Sequence, residues 1–270
     1  MTEQPSAAEE PSRVVDTGVP HSARIWNYWL GGKDNFAVDR EAGEQIVALV
    51  PDLVTSARAD RAFLRRAVEH LAGEAGVRQF LDIGTGLPTA DNTHEVAQRT
   101  APQSRVVYVD NDPLVLAHAR ALLTSAPEGA TDYLDADLRE PEKILEVAAG
   151  TLDFTRPVAI ILLGILNFVI DDGEARAVVR RLLDAVPSGS YLVISHPTTE
   201  VQGREMTEAV RLWNSTGGAE MRLRDRSGVA SFFTGLDVVE PGIVSCSQWR
   251  PAPGDTSVPV SHYGGVGRKP

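Results

Sequence analysis

The feature that most restricts this chain is a regular alternation, from residue 77 to residue 195, of short apolar runs with stretches of helical periodicity. Residues 77–83, 105–110, 131–134, 158–163 and 191–195 read as strands. Residues 89–99, 113–124, 141–149 and 173–186 read as the helices between them. Such repetition requires right-handed crossovers, which set the strands parallel and cover both faces of the sheet with helices. The rhythm ends after residue 195. Residues 236–248 and 260–266 read as two strands separated by the Pro- and Gly-rich stretch 251–254, so a hairpin added antiparallel to the sheet edge is expected.

Ahead of this domain, taken as residues 76–270, the pattern is helical. Residues 39–49 and 56–75 form two helical stretches parted by Pro51, and Phe63, Leu64, Ala67, Val68 and Leu71 share one face of the second. Residues 22–30 are aromatic-rich and run into the Gly31-Gly32 pair, where a sharp turn is expected. Residues 13–75 are therefore read as a helical extension. Residues 1–12 are read as a disordered tail, acidic and Ala/Pro/Ser-rich, with no apolar stretch to act as a signal peptide or anchor.

Composition narrows the partners. The 26 Lys and Arg face 37 Asp and Glu, a net charge of -11 that repels a phosphate backbone and argues against nucleic acid. Arg61, Arg65 and Arg66 sit at helical spacing beside Asp60 and Glu69 and read as a solvated helix face. Cys246 is the single cysteine, so an intrachain disulfide and a Cys-based metal cluster are excluded; no metal is expected, and a reducing cytoplasm fits. The longest apolar run, residues 158–166, is too short to span a membrane and reads as a strand buried on both faces.

Chemistry concentrates at the strand ends. Phe80-Leu81-Asp82-Ile83-Gly84-Thr85-Gly86 is an apolar strand closed by an acid and a Gly-x-Gly turn, which lets backbone approach a ligand closely. Thr89 stands where a dinucleotide motif needs its third glycine, which counts against a pyrophosphate. Asp110, at the tip of the second strand, is placed to accept hydrogen bonds from both hydroxyls of a ribose. Asp137, after the third, is placed to accept from an adenine amino group. Each acid also has an ordinary use: Asp82 as a turn former, Asp110 as a helix cap, Asp137 as a surface group.

Longer stretches carry a resemblance. Leu30-Gly31-Gly32-Lys33-Asp34-Asn35-Phe36, residues 82–89, Tyr108-Val109-Asp110-Asn111-Asp112-Pro113 and the closing residues 263–270 resemble a bacterial S-adenosyl methyltransferase family within the class I methyltransferases. The resemblance runs from about Ser12 onward. It implies a doubly wound, seven-stranded, mostly parallel α/β sheet that binds S-adenosylmethionine. Asp82, Gly84, Thr85 and Gly86 would lie near the methionine part, Asp110 at the ribose, Asn111 against the adenine, and Asp137 with Leu138 at the adenine edge. Gly164, after the fourth strand, joins the same set. Asn167 stands where family members often have histidine, which counts against a general base there.

Two further sets of residues are candidates. Tyr28 with Lys33, Asp34 and Asn35 would close over the cofactor as a lid, or else the aromatic residues around Tyr28 simply dock the extension. His196, after the fifth strand, is the candidate base for a hydroxyl acceptor, or else a loop-bonding histidine. Residues 163–168 lack the Asp/Asn-Pro-Pro-aromatic turn of enzymes that methylate base amino groups. With the net charge, this points to a small-molecule acceptor and O-methylation. A noncatalytic binder of the cofactor and a nicotinamide-dependent oxidoreductase are the alternative functions.

Overall fold

The computed structural model of the protein describes residues 16–122, 124–216, 218–253 and 257–270. The tail expected at residues 1–12 lies outside the described residues. Three helices come first, α1 (Ser22–Trp29), α2 (Ala37–Leu49) and α3 (Leu53–Gly73). Strands β1 (Gln79–Ile83), β2 (Arg105–Asp110), β3 (Ala130–Asp135), β4 (Ala159–Leu163) and β5 (Tyr191–Pro197) then alternate with α4 (Thr93–Thr100), α5 (Pro113–Leu122), α6 (Pro141–Ala148) and α7 (Asp172–Asp184). The chain finishes with α8 (Gly203–Asn214), α9 (Arg226–Ala230), β6 (Asp237–Val238), β7 (Val244–Ser245) and β8 (His262–Arg268).

The sheet has the order β3-β2-β1-β4-β5-β8-β6, with β7 also pairing β8. Strands β1 to β5 are parallel and β8 runs antiparallel to β5. This is the mostly parallel, doubly wound sheet of a class I methyltransferase fold, with one strand more than expected. The extra strand arises because residues 236–248 do not run straight. Pro241 has no N–H to give a ladder and Gly242 takes φ +92°, so the segment splits into β6 and β7, and both pair with β8.

Strand pleating sorts the core. Leu81 and Ile83 of β1 join Val107, Ile160 and Leu162 on one face, while Phe80 joins Val106, Ile161 and Val193 on the other. The expected apolar face of α3 covers the second layer, with Phe63, Leu64, Ala67, Val68 and Leu71 all buried. Arg66 departs from the solvated face foreseen for it. It is buried and donates from Nε to the Trp249 carbonyl at 2.8 Å and from its guanidinium to the Cys246 carbonyl at 2.6 Å.

The extension has a core of its own. Ile25, Ala42, Ile46 and Leu53 pack against Met206, Ala209 and Trp213 of α8, so the first helices rest on the segment inserted after β5. Asp39, wholly buried, ties the start of α1 to the start of α2. It accepts from the His21 and Phe36 backbone N–H groups at 2.9 and 2.8 Å and pairs with Arg24. Among the described residues no helix is long and apolar enough to cross a membrane.

Candidate active site

Open α/β sheets bind ligands at the carboxyl ends of their strands. Here a cavity of about 210 Å³ opens there, and Asp82, Gly84, Thr85, Gly86, Asp110, Asn111, Asp137, Leu138 and Gly164 all line it. Gly84 is required by a close approach: its φ is +77°, and a Cβ there would stand 2.7 Å from Ile165 Cγ1, in the loop after β4. The Gly turn and that loop are thereby pressed together as two walls of one cavity.

Desolvation dominates the acids. Burial pushes the Asp82 carboxyl up to about 6, although Thr93 Oγ1 donates to it at 2.6 Å and Arg61 adds favourable charge. Burial also raises Asp110, against the pull of two backbone donors, Asp112 N–H at 3.0 Å and Gly86 N–H at 2.9 Å. Asp110 therefore clasps the Gly turn from the neighbouring strand. Asp137 accepts from Arg139 N–H at 2.8 Å and from Asn111 Nδ2 at 3.2 Å, which joins the tips of β2 and β3.

The extension supplies the remaining wall. Ser22, Ala23, Trp26, Asn27 and Leu30 line the cavity, as does His21, whose Nδ1 lies 2.9 Å from Asp112 Oδ2. Burial raises the Asp112 carboxyl, but His21, the Leu114 backbone N–H and Arg24 together outweigh it and leave the group below the ordinary carboxylate range.

Tyr28, Lys33 and Asn35 do not line the cavity, and helical phase explains the first. Because α1 runs unbroken to Trp29, positions 22, 23, 26, 27 and 30 share one face, and Tyr28 turns away to donate to Glu44 at 3.0 Å. Lys33 is exposed, and Asn35 stands behind Asn27, donating to its side-chain oxygen at 2.9 Å.

His196 is not in the cavity either. It is fully buried, its Nδ1 lies 2.8 Å from the Pro197 carbonyl and its Nε2 2.8 Å from the Arg224 guanidinium. An arginine cannot accept, so Nε2 is the acceptor and Nδ1 carries the proton. Burial drives its pKa down to about 3, which leaves a neutral structural imidazole with both nitrogens in use. Arg224 itself donates to the carbonyls of Leu166 and Val169 at 2.9 and 2.8 Å and to Asp172 at 2.9 Å, pinning the loop after β4. Asn167 is buried in that loop and is not a lining residue.

Several lining residues escaped the sequence reading: Trp26, Asn27, Asp60, Arg61, Ile165 and Phe168. A signal existed for Asp60, which interrupts the apolar stripe of α3 between Ala57 and Leu64, both buried. Arg61 follows it into the cavity wall and donates to the Ala90 and Asp91 carbonyls at 3.2 and 3.3 Å.

Comparison with known proteins agrees with this fold. A DUF574 family protein from Streptomyces avermitilis is 48% identical, with a TM-score of 0.90 over 94% of this chain and 99% of that one. A provisionally assigned methyltransferase from Thermobifida fusca is 39% identical, with a TM-score of 0.86 over 94% and 96%. An O-methyltransferase family protein from Burkholderia thailandensis, 16% identical with a TM-score of 0.52 over 82% and 61%, shares the fold alone. No curated protein sequence matches the chain. The model of the S-adenosyl methyltransferase family matches residues 8–270, which displaces the nicotinamide oxidoreductase reading, and the chain belongs to that family.

Proposed function

We propose that the chain transfers a methyl group from S-adenosylmethionine to the hydroxyl of a small molecule, with the cofactor held across the tips of β1 to β4. The observation that carries this is the convergence of Asp82, Asp110 and Asp137 on one cavity. The residues present fit the cofactor. Asp110 keeps lone pairs beyond those used by its two backbone donors, enough for a ribose diol, and Gly84 and Gly86 offer bare backbone at positive φ. Asn111, Asp137 and Leu138 lie together for an adenine edge.

When bound, the cofactor supplies an electrophilic methyl on a sulfonium centre, so the protein's task is to hold, orient and keep water out. Asp82, poised near neutrality, gains its charge most readily beside a cation such as the cofactor's ammonium group. The α1 face from Ser22 to Leu30 acts as the lid, with Trp26 and Asn27 in the part first given to Tyr28, Lys33 and Asn35. The net charge of -11 supports a small acceptor over nucleic acid.

A cofactor binder that transfers nothing is the competing reading, favoured by the withdrawal of His196 from the cavity. Calorimetry with S-adenosylhomocysteine and with NAD tests the proposal first. Wild-type protein is expected to bind the former and not the latter, and Asp110→Ala to bind about 100-fold more weakly, the loss of two charge-assisted hydrogen bonds. Unchanged affinity in Asp110→Ala removes the ribose assignment. Transfer of labelled methyl to members of a hydroxylated acceptor panel then separates enzyme from binder.

A further inference from the structure

Beside the main cavity lies a smaller chamber of about 60 Å³, and Ser22, Trp26 and Phe168 belong to the walls of both. Trp26 stands at the border between the two. Its Cζ2 stands 3.9 Å from where a side chain on Gly164 would begin, and its ring meets His262 edge-on with centroids 5.7 Å apart.

The chamber is apolar on nearly every side, with walls from Ile25, Leu53, Met206 and Trp213. No Asp, Glu, Lys or Arg is among its lining residues, and Ser22 and His262 are its main polar groups. His262 is 4% exposed and its Nδ1 has no hydrogen-bond partner, in contrast to His196, whose two nitrogens are both engaged. An unpartnered buried polar atom is costly, and a turn of the ring that brings Nδ1 to a ligand in the chamber removes that cost. Burial holds the imidazole below its ordinary pKa, so it is neutral and able to accept, while the charge of Asp60 favours its protonated form.

We infer that this chamber receives the apolar body of the methyl acceptor and that His262 meets the acceptor's hydroxyl, an inference that rests on the methyltransferase reading above. The ligand class is a neutral hydroxylated apolar compound of the phenol type. Charged acceptors are disfavoured because the walls offer nothing to replace their hydration. The methionine side chains of Met206 and Met221 let the chamber adjust to the outline of the ligand. In transfer, the acceptor's O–H bond breaks as its oxygen forms the new O–CH3 bond. The electron pair of the former S–CH3 bond stays on sulfur, and the hydroxyl proton passes to His262 and then to solvent.

The test uses para-cresol and toluene as probes, titrated calorimetrically into the full chain saturated with S-adenosylhomocysteine. Para-cresol is expected to bind about tenfold more tightly than toluene, the effect of one hydrogen bond to a buried acceptor. His262→Phe should bring the two probes together, and Val210→Trp, which fills the chamber from a half-buried position on α8, should abolish para-cresol binding. Both variants should keep wild-type affinity for S-adenosylhomocysteine, which also reports that they fold. Equal binding of the two probes by wild type, no para-cresol binding at all, or para-cresol binding that survives Val210→Trp overturns the inference while leaving the cofactor reading intact. Failure of wild-type protein to bind S-adenosylhomocysteine overturns both.

Discussion

The large cavity takes most of its walls from the ends of β1, β2 and β4 and the turns that follow β1 to β4, whereas the chamber beside it is assembled mainly from α1 and α8, with further residues from places as distant in sequence as Leu53 and His262. The first is the more polar and is rich in backbone, and the second is almost wholly apolar with one idle imidazole. A site for an invariant cofactor can be written in consecutive strand–turn units, because the fold itself delivers successive strand ends to one place. A site for a particular acceptor needs surfaces that only tertiary packing brings together.

Arg224 offers the strongest way to break this separation, because it lies outside the strand–turn units yet holds the loop after β4 that walls the large cavity. Arg224→Ala leaves two buried carbonyls and His196 Nε2 without their donor and is expected to cost about 3 kcal/mol in urea denaturation. A loss below about 1 kcal/mol would show that the loop stands without it.

The second expected effect sharpens the comparison through pH. Asp82, with its carboxyl raised to about 6, must shed a proton before it can serve a cation. Affinity for S-adenosylmethionine should fall about tenfold between pH 7 and pH 5. The stability of the free protein runs the other way. A carboxyl whose folded-state pKa lies above its unfolded one adds stability at low pH, and that contribution is lost as pH rises through about 6. Calorimetry beside pH-dependent unfolding checks the pair of trends, and an affinity flat from pH 7 to pH 5 would take Asp82 out of the binding step. Para-cresol binding, decided in the chamber, should not follow the Asp82 titration.

The smallest effect concerns the extension. Lys33 is exposed and away from both cavities, so Lys33→Ala should change cofactor affinity by less than about twofold. A tenfold loss would return the lid to the Gly31-Gly32 turn and away from α1.

The same division governs what was legible in the sequence. Phe80 to Gly86 announced itself because apolar periodicity, a terminal acid and turn glycines are all local signals, and so did Asp110 and Asp137 at successive strand ends. Trp26 rather than Tyr28 lines the cavity because residues 22–29 form a helix, and its phase is not legible in an aromatic run. Arg61 and Arg66 read as surface charge because spacing alone cannot reveal that carbonyl groups of residues 90–91 and 246–249 wait to receive them. Met206, Ala209 and Trp213 repeat at the helical intervals of α8, a signal present in the sequence, whereas His262 lies inside residues 260–266, where a strand of the closing hairpin gives no sign of a cavity wall. His196 attracted attention by position, but its role was set by Arg224, a partner 28 residues away.

The placement of β8 bears on how the molecule comes into being. Strands β6 and β7 pair with no strand but β8, and β8 itself reaches back to β5 across a long stretch of chain, so this whole edge of the sheet forms only once β8 is in place. Long-range pairing of that kind is slow to nucleate. Since His262 rides on β8, the wall it gives the apolar chamber is joined to the rest of the molecule only through that edge.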